Sequence, residues 1–73
     1  MSYTARIESV KRLQNSTNGN PRYAVKFPDG SALRTKPDAG FVFGVRWERL
    51  DGASATITTN GRGQIIDLEP VAP

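Results

Sequence analysis

Residues that form turns interrupt this chain at short intervals. They occupy positions 15–21, 28–30, 37–40, 51–52 and 60–63, and short runs rich in β-branched and aromatic residues lie between them. Runs of this length are too short for the helices of a bundle and are typical of small β-proteins. We therefore expect an all-β domain of five antiparallel strands, arranged as one bent sheet or as a small barrel.

The length and the composition limit what such a domain can contain. The chain has 73 residues, enough for one domain, which we place at 1–69; residues 70–73 form a tail because Pro70 removes a donor from the strand ladder. Cysteine and histidine are both absent. Their absence argues against disulfides, zinc sites and the usual nucleophile and base pairs, so we predict no catalytic residue, no metal and no cofactor.

The turn at residues 28–30 sets the register of the first hairpin. A two-residue loop would place Arg34 opposite Val25, on the apolar face, which is unfavourable. A three-residue loop, with Gly30 in the left-handed conformation, pairs Val25 with Leu33 instead and keeps charge out of the core. We therefore predict the three-residue loop.

This register places four basic side chains on one outward face, namely Arg22, Lys26, Arg34 and Lys36. The net charge of +3 and the pI of about 9.8 permit attraction to a polyanion, so this face is our candidate for contacts with nucleic acid phosphates. Lys11, Arg12 and Arg62 can extend it. The alternative is a solvated surface, which is favoured by the lack of aromatic side chains between the charges.

The second hairpin is predicted to turn at Asn60 and Gly61, a pair typical of two-residue type I′ turns. That turn would pair Ala55 with Ile66 and leave Ile65 on the outer face. The expected core then contains Val25, Phe27, Leu33, Ile57, Ile66 and Leu68.

Two further segments are interpreted from their apolar spacing. Between residues 3 and 13 the alternation slips by one near Glu8, which predicts a β-bulge and a bend. In residues 37–52, Asp38 is a good helix N-cap, whereas the alternating aromatic residues from Phe41 to Trp47 favour an extended segment. A short helix here would give the element order of an OB-like fold, and an extended segment would resemble an SH3-like barrel.

Trp47 is a candidate anchor for a partner because Arg46 and Arg49 flank it, and a tryptophan beside cations can stack on a base or fill a pocket. The alternative is a residue at the edge of the core whose indole N–H bonds a carbonyl. If Trp47 is an anchor, the chain is a protein-binding module that acts on another protein, or on itself, through an exposed strand edge and the Phe41 to Trp47 segment.

Four short motifs occur in order along the chain: Asn18-Gly19-Asn20-Pro21-Arg22-Tyr23, Phe27-Pro28-Asp29-Gly30, Arg34-Thr35-Lys36-Pro37-Asp38-Ala39 and Gly61-Arg62-Gly63-Gln64-Ile65-Ile66. With these motifs the chain resembles, over nearly its whole length, the small uncharacterised accessory proteins of actinobacterial, mycobacteriophage-like tailed phages. The resemblance implies a phage product of the host cytoplasm, dispensable for virion structure, that binds host or phage machinery. No apolar run is long enough for a signal peptide or a membrane span, so we expect no membrane partner.

Overall fold

Six short strands form two three-stranded antiparallel sheets in the computed structural model, which describes residues 1–71. The strands are β1 (Ser2–Arg6), β2 (Ser9–Leu13), β3 (Arg22–Lys26), β4 (Ala32–Arg34), β5 (Ser54–Thr59) and β6 (Ile65–Pro70). Sheet I has the order β1-β5-β6 and sheet II the order β2-β3-β4. The all-β prediction is confirmed. The prediction of five strands in one sheet or barrel is wrong, because the two sheets do not close into a barrel.

A bend between β1 and β2 joins the two sheets. The N–H of Ile7 donates to Ala53 before β5, and the N–H of the next residue, Glu8, donates to Lys26 in β3. Successive residues therefore bond to different sheets, and this accounts for the slip in apolar alternation near Glu8. Ile7 itself is fully buried between the sheets.

The sheets meet a second time where β4 ends. Thr35 forms an isolated parallel bridge with Ile65, and the N–H of Lys36 donates to the Ile65 carbonyl over 2.9 Å. Thr35 is a buried polar residue whose hydroxyl accepts the N–H of Tyr23 at 3.1 Å, which satisfies it within the core. This contact brings β4 beside the start of β6.

The first hairpin has the predicted register. Val25 lies opposite Leu33, and Gly30 has a φ of +92°, in the left-handed region that favours glycine. Asp29 stabilises the turn because its carboxylate accepts both the N–H and the hydroxyl of Ser31, at 2.8 and 2.6 Å.

The second hairpin differs from the type I′ prediction. Its loop has three residues, 61–63, and the glycine with positive φ is Gly63, at +75°. Asn60 favours this loop because its side-chain oxygen accepts the N–H groups of Arg62 and Gln64, at 2.9 and 3.0 Å. A register shift then places Ile65 opposite Thr59.

This shift corrects the predicted faces of β6. Ala55 pairs with Pro70, not with Ile66, and Ile65 and Leu68 both point inward. Ile66 is the additional residue at the bulge and is 39% exposed, so its predicted place in the core is wrong. β6 continues through Pro70, which an edge strand tolerates, and the predicted tail residues 72–73 lie outside the described residues.

The connector between β4 and β5 is neither a long helix nor a strand. It contains two short 3₁₀ helices, Gly40–Gly44 and Trp47–Arg49. Asp38 does not cap either helix; its φ is +62° and Ala39 occupies the N-cap position without a side-chain hydrogen bond. Among residues 1–71, no helix has the length and apolarity needed to cross a bilayer.

Residues from both sheets and from the connector form one core. Its buried apolar members are Ile7, Val25, Phe27, Val42, Trp47, Leu50, Ala55, Ile57, Ile65 and Leu68. Leu33, which was predicted to be buried, is half-buried at the edge of this cluster. The core fills the space between the sheets and leaves the other face of sheet II to solvent.

Candidate anion-binding face

The outer face of sheet II carries a cluster of basic side chains. The register places Lys11 of β2 and Arg34 of β4 on either side of Ala24 in β3. Arg22 and Lys26 lie two residues before and after Ala24, and therefore on the same face. Lys11, Arg22, Lys26 and Arg34 make up this basic face. The small side chain of Ala24 leaves the centre of the face open.

The other cations predicted for this face have different positions. Lys36 is exposed two residues after Arg34, where its backbone has already turned toward Ile65, so it lies at the junction of the sheets. Arg12 points to the opposite face, because it pairs with the inward-facing Tyr23 and its guanidinium carbon lies 5.4 Å from that ring centre. The sequence therefore identified Arg22, Lys26 and Arg34 as neighbours, and Lys11 rather than Arg12 extends them.

Carboxylates neutralise little of this charge. Among residues 1–71 the only ion pair joins Lys26 to Glu8, with 3.5 Å between nitrogen and oxygen and both side chains about half exposed. An exposed pair of this kind contributes about 0–1 kcal/mol. Lys11, Arg22 and Arg34 form no ion pair in this part of the chain, so their charges face solvent or a ligand.

A cavity of about 350 Å³ lies beside the basic face, between the edge of β4 and the loop of the second hairpin. Three arginines line it: Arg22 from β3, Arg34 from β4 and Arg62 from the loop. The Nε atom of Arg22 is buried and has no hydrogen-bond partner among residues 1–71. The sequence indicates Arg62 only as an extension of the face, because its place beside Arg22 depends on how the two sheets meet.

The polar loop 14–21 is fixed at the end of the sheet where Arg22 lies. Its anchor is Asp38, whose carboxylate accepts hydrogen bonds from Ser16, Asn18 and Asn20, the last two at 2.9 and 2.7 Å. Hydrogen bonds from Ser16, and to a smaller extent from Asn20 and Asn18, hold the pKa of Asp38 below its usual value. The loop beside the basic face is therefore held by side-chain contacts.

Trp47 belongs to the core. It is 6% exposed, stacks on Tyr23 with 4.1 Å between ring centres, and donates its indole N–H to the carbonyl of Val42 at 3.0 Å. This is the arrangement expected of a residue at the edge of the core. Arg46 and Arg49 remain exposed on either side, but the indole between them is not a surface anchor.

The exposed aromatic residue of the connector is Phe43. It is 68% exposed, whereas its neighbour Val42 is buried. The alternating pattern from Phe41 to Trp47 does not identify it, because the 3₁₀ helix replaces the two-residue period with three residues per turn.

Comparisons with known protein families, with curated protein sequences and with solved structures found no match to this chain. The arguments for its function therefore come from the geometry of the basic face and of the cavity beside it.

Proposed function

We propose that the protein is a non-catalytic binding module that holds nucleic acid on the basic face of sheet II. The observation that carries this proposal is the placement of Lys11, Arg22, Lys26 and Arg34 on one open face with a single, exposed ion pair. These four cations surround Ala24 without facing one another directly, and their mutual repulsion is relieved when an anion lies between them; nucleic acid supplies a regular row of anions. In line with the resemblance to phage accessory proteins, we place this activity in the host cytoplasm.

The order of strand pairing supports an OB-like assignment over an SH3-like one. If β1 and β2 count as one bent strand, that strand pairs with β3 on one side and with β5 on the other. The outer strands β4 and β6 approach each other only at the isolated parallel bridge between Thr35 and Ile65, so the two sheets stay open there. An OB-fold is a partly open barrel of five strands that binds oligonucleotides on the face of its second and third strands and between two loops. Here those parts correspond to β3, β4 and the loops 14–21 and 60–64.

The basic face contains no aromatic platform. Tyr23, the aromatic residue of β3, points inward and stacks on Trp47. Base stacking supplies much of the affinity of single-strand binders, whereas phosphate contacts act without regard to sequence and weaken with salt. We therefore propose binding that depends little on sequence and strongly on ionic strength.

Fluorescence anisotropy with labelled single-stranded and duplex oligonucleotides tests this function. With four phosphate contacts, the affinity should fall on the order of 100-fold between about 50 mM and about 200 mM salt. The double variant Lys26→Glu with Arg34→Glu should abolish binding. Arg46→Glu with Arg49→Glu makes the same charge change at two exposed residues of the connector and should keep most of the binding. Absence of binding at the lower salt, or equal losses in both variants, would contradict the proposal.

A second candidate function is a protein-binding module, acting on a host or phage protein or on a second copy of the chain. The observation that favours it is the exposure of Phe43, together with the open edge of β4. The test is capture of a defined partner after nuclease treatment. Such binding should be lost in Phe43→Ser and kept in Lys26→Glu with Arg34→Glu; the reverse pattern would contradict it.

A further inference from the structure

The cavity between β4 and the loop 61–63 has the features of a site for one anion. Arg22, Arg34 and Arg62 line it, and no aspartate or glutamate is among its lining residues. We propose that this cavity binds a single phosphate group. The assignment of this phosphate to a nucleic acid rests on the proposed function, whereas the binding of a phosphate group in the cavity does not.

Arg22 lines the cavity with a partly buried side chain, whose Nε atom has no hydrogen-bond partner among residues 1–71. A guanidinium group donates in a planar fork that matches two oxygens of a phosphate. A phosphate bound among the three arginines that line the cavity would supply negative charge where no carboxylate does, and would offset the repulsion between them.

The loop holds Arg62 over the cavity by its own hydrogen bonds. Asn60 accepts the N–H groups of Arg62 and Gln64 through its side chain, and the N–H of Gly63 donates to the Asn60 carbonyl at 3.1 Å. The loop is therefore formed before any ligand arrives, which lowers the entropic cost of binding. Arg22 and Arg34 come from sheet II and Arg62 from the hairpin of sheet I, so the site lies where the Thr35 to Ile65 contact brings the two sheets together.

The size of the cavity agrees with a small ligand. About 350 Å³ lies near the lower limit of ligand pockets and accommodates a phosphate group with part of the molecule that carries it. The cavity opens beside the basic face, with which it shares Arg22 and Arg34, so a strand lying on that face can place one of its phosphates here.

Titration of ¹⁵N-labelled protein with inorganic phosphate at constant ionic strength tests the proposal. We expect saturable shifts of the Gly63, Gln64 and Arg34 amides, with millimolar affinity. Arg62→Gln should weaken this binding by about 10-fold or more, and Arg46→Gln, the same change at an exposed arginine away from the cavity, should leave it within about twofold. Shifts that do not saturate, or that are equal in both variants, would overturn the proposal.

A second arm identifies the source of the phosphate. Oligonucleotides of one sequence are compared with a 5′-phosphate and with a 5′-hydroxyl. Tighter binding of the 5′-phosphate form, lost in Arg62→Gln, indicates a terminal phosphate; equal binding of both forms, weakened by Arg62→Gln, indicates a phosphate of the backbone. If inorganic phosphate binds and neither oligonucleotide does, the nucleic acid function fails while the phosphate site stands. If oligonucleotides bind and inorganic phosphate does not, the site fails while the nucleic acid function stands.

Discussion

Ile65 lies opposite Thr59 in the second hairpin and at the same time forms a parallel bridge with Thr35. One residue thus fixes the register of sheet I and joins that sheet to sheet II. Its side chain is fully buried, whereas that of Ile66 is 39% exposed.

Truncation of these two neighbours should therefore have unequal effects. We expect Ile65→Ala to lower the free energy of unfolding by about 2–5 kcal/mol, because it leaves a cavity where the sheets meet. Ile66→Ala should cost less than about 1 kcal/mol, since its side chain already contacts water. Urea unfolding followed by circular dichroism measures both. A larger loss of stability for Ile66→Ala than for Ile65→Ala would contradict the observed loop and support the type I′ register.

The glycines of the same loop provide an independent check. Gly63 has a φ of +75°, whereas the φ of Gly61 is not positive. Gly63→Ala should cost about 1–2 kcal/mol because an L side chain is strained in the left-handed region. Neither position has an atom within 4 Å of an added Cβ, so Gly61→Ala should be neutral or slightly stabilising. Thermal unfolding measures the stability of the two variants, and an equal loss of stability in both would contradict the observed loop.

The two hairpins show what the sequence could and could not specify. In the first, only one loop length kept Arg34 out of the core, so charge determined the register. In the second, Ile65 and Ile66 are adjacent and equally apolar, and polarity could not choose between them. The choice depends on the Asn60 side chain, which accepts two N–H groups of the loop, and on a bulge that the apolar pattern does not reveal.

The candidate site also has one part that the sequence predicts and one part that it does not. The basic face follows from the alternation within β3 and β4, so the sequence identified its central residues. The cavity requires Arg62 to lie beside Arg22, and that depends on the long-range contact between Thr35 and Ile65. Trp47 could not be placed for a similar reason, because its stacking partner Tyr23 lies 24 residues away on another element.

Burial of Trp47 gives a further prediction. Trp47→Ala should cost about 3–5 kcal/mol, because it removes the stacked ring on Tyr23 and leaves a large cavity. Trp47→Phe should cost less than Trp47→Ala, because it keeps an aromatic ring on Tyr23. It should still destabilise the protein, since it leaves the Val42 carbonyl without its donor. Denaturant midpoints measure both. A Trp47→Ala variant as stable as the native chain would mean that the indole does not support the core.

Asp38 should make the loop 14–21 sensitive to acid. Hydrogen bonds lower the folded-state pKa of Asp38 from its ordinary value of 3.8. The stabilisation that Asp38 contributes is therefore fully present above pH 3.8, and it is lost as the pH falls through the lower folded-state pKa. The protection of the Asn18 and Asn20 amides, measured relative to the intrinsic exchange rate at each pH, should therefore fall below about pH 4. Asp38→Ala should show fast exchange already at neutral pH, with no further acid step in this loop. Asp29 is shifted in the same direction and remains in the variant, so an acid step near Ser31 should persist.

The sharpest test of the basic face uses two adjacent residues. Lys11 and Arg12 differ by one position along β2 and therefore point to opposite faces of sheet II, Lys11 beside Ala24 and Arg12 over Tyr23. Lys11→Glu and Arg12→Glu change the net charge equally, so a general attraction to nucleic acid would weaken equally in both. Contact through the face predicts that only Lys11→Glu weakens binding strongly and reduces the log–log salt slope by about one unit. Arg12→Glu also removes a cation–π contact worth about 0.5–1 kcal/mol, so its folding is verified by thermal unfolding before the anisotropy titrations. Equal losses of affinity in the two variants would mean that the total charge, and not this face, attracts the nucleic acid.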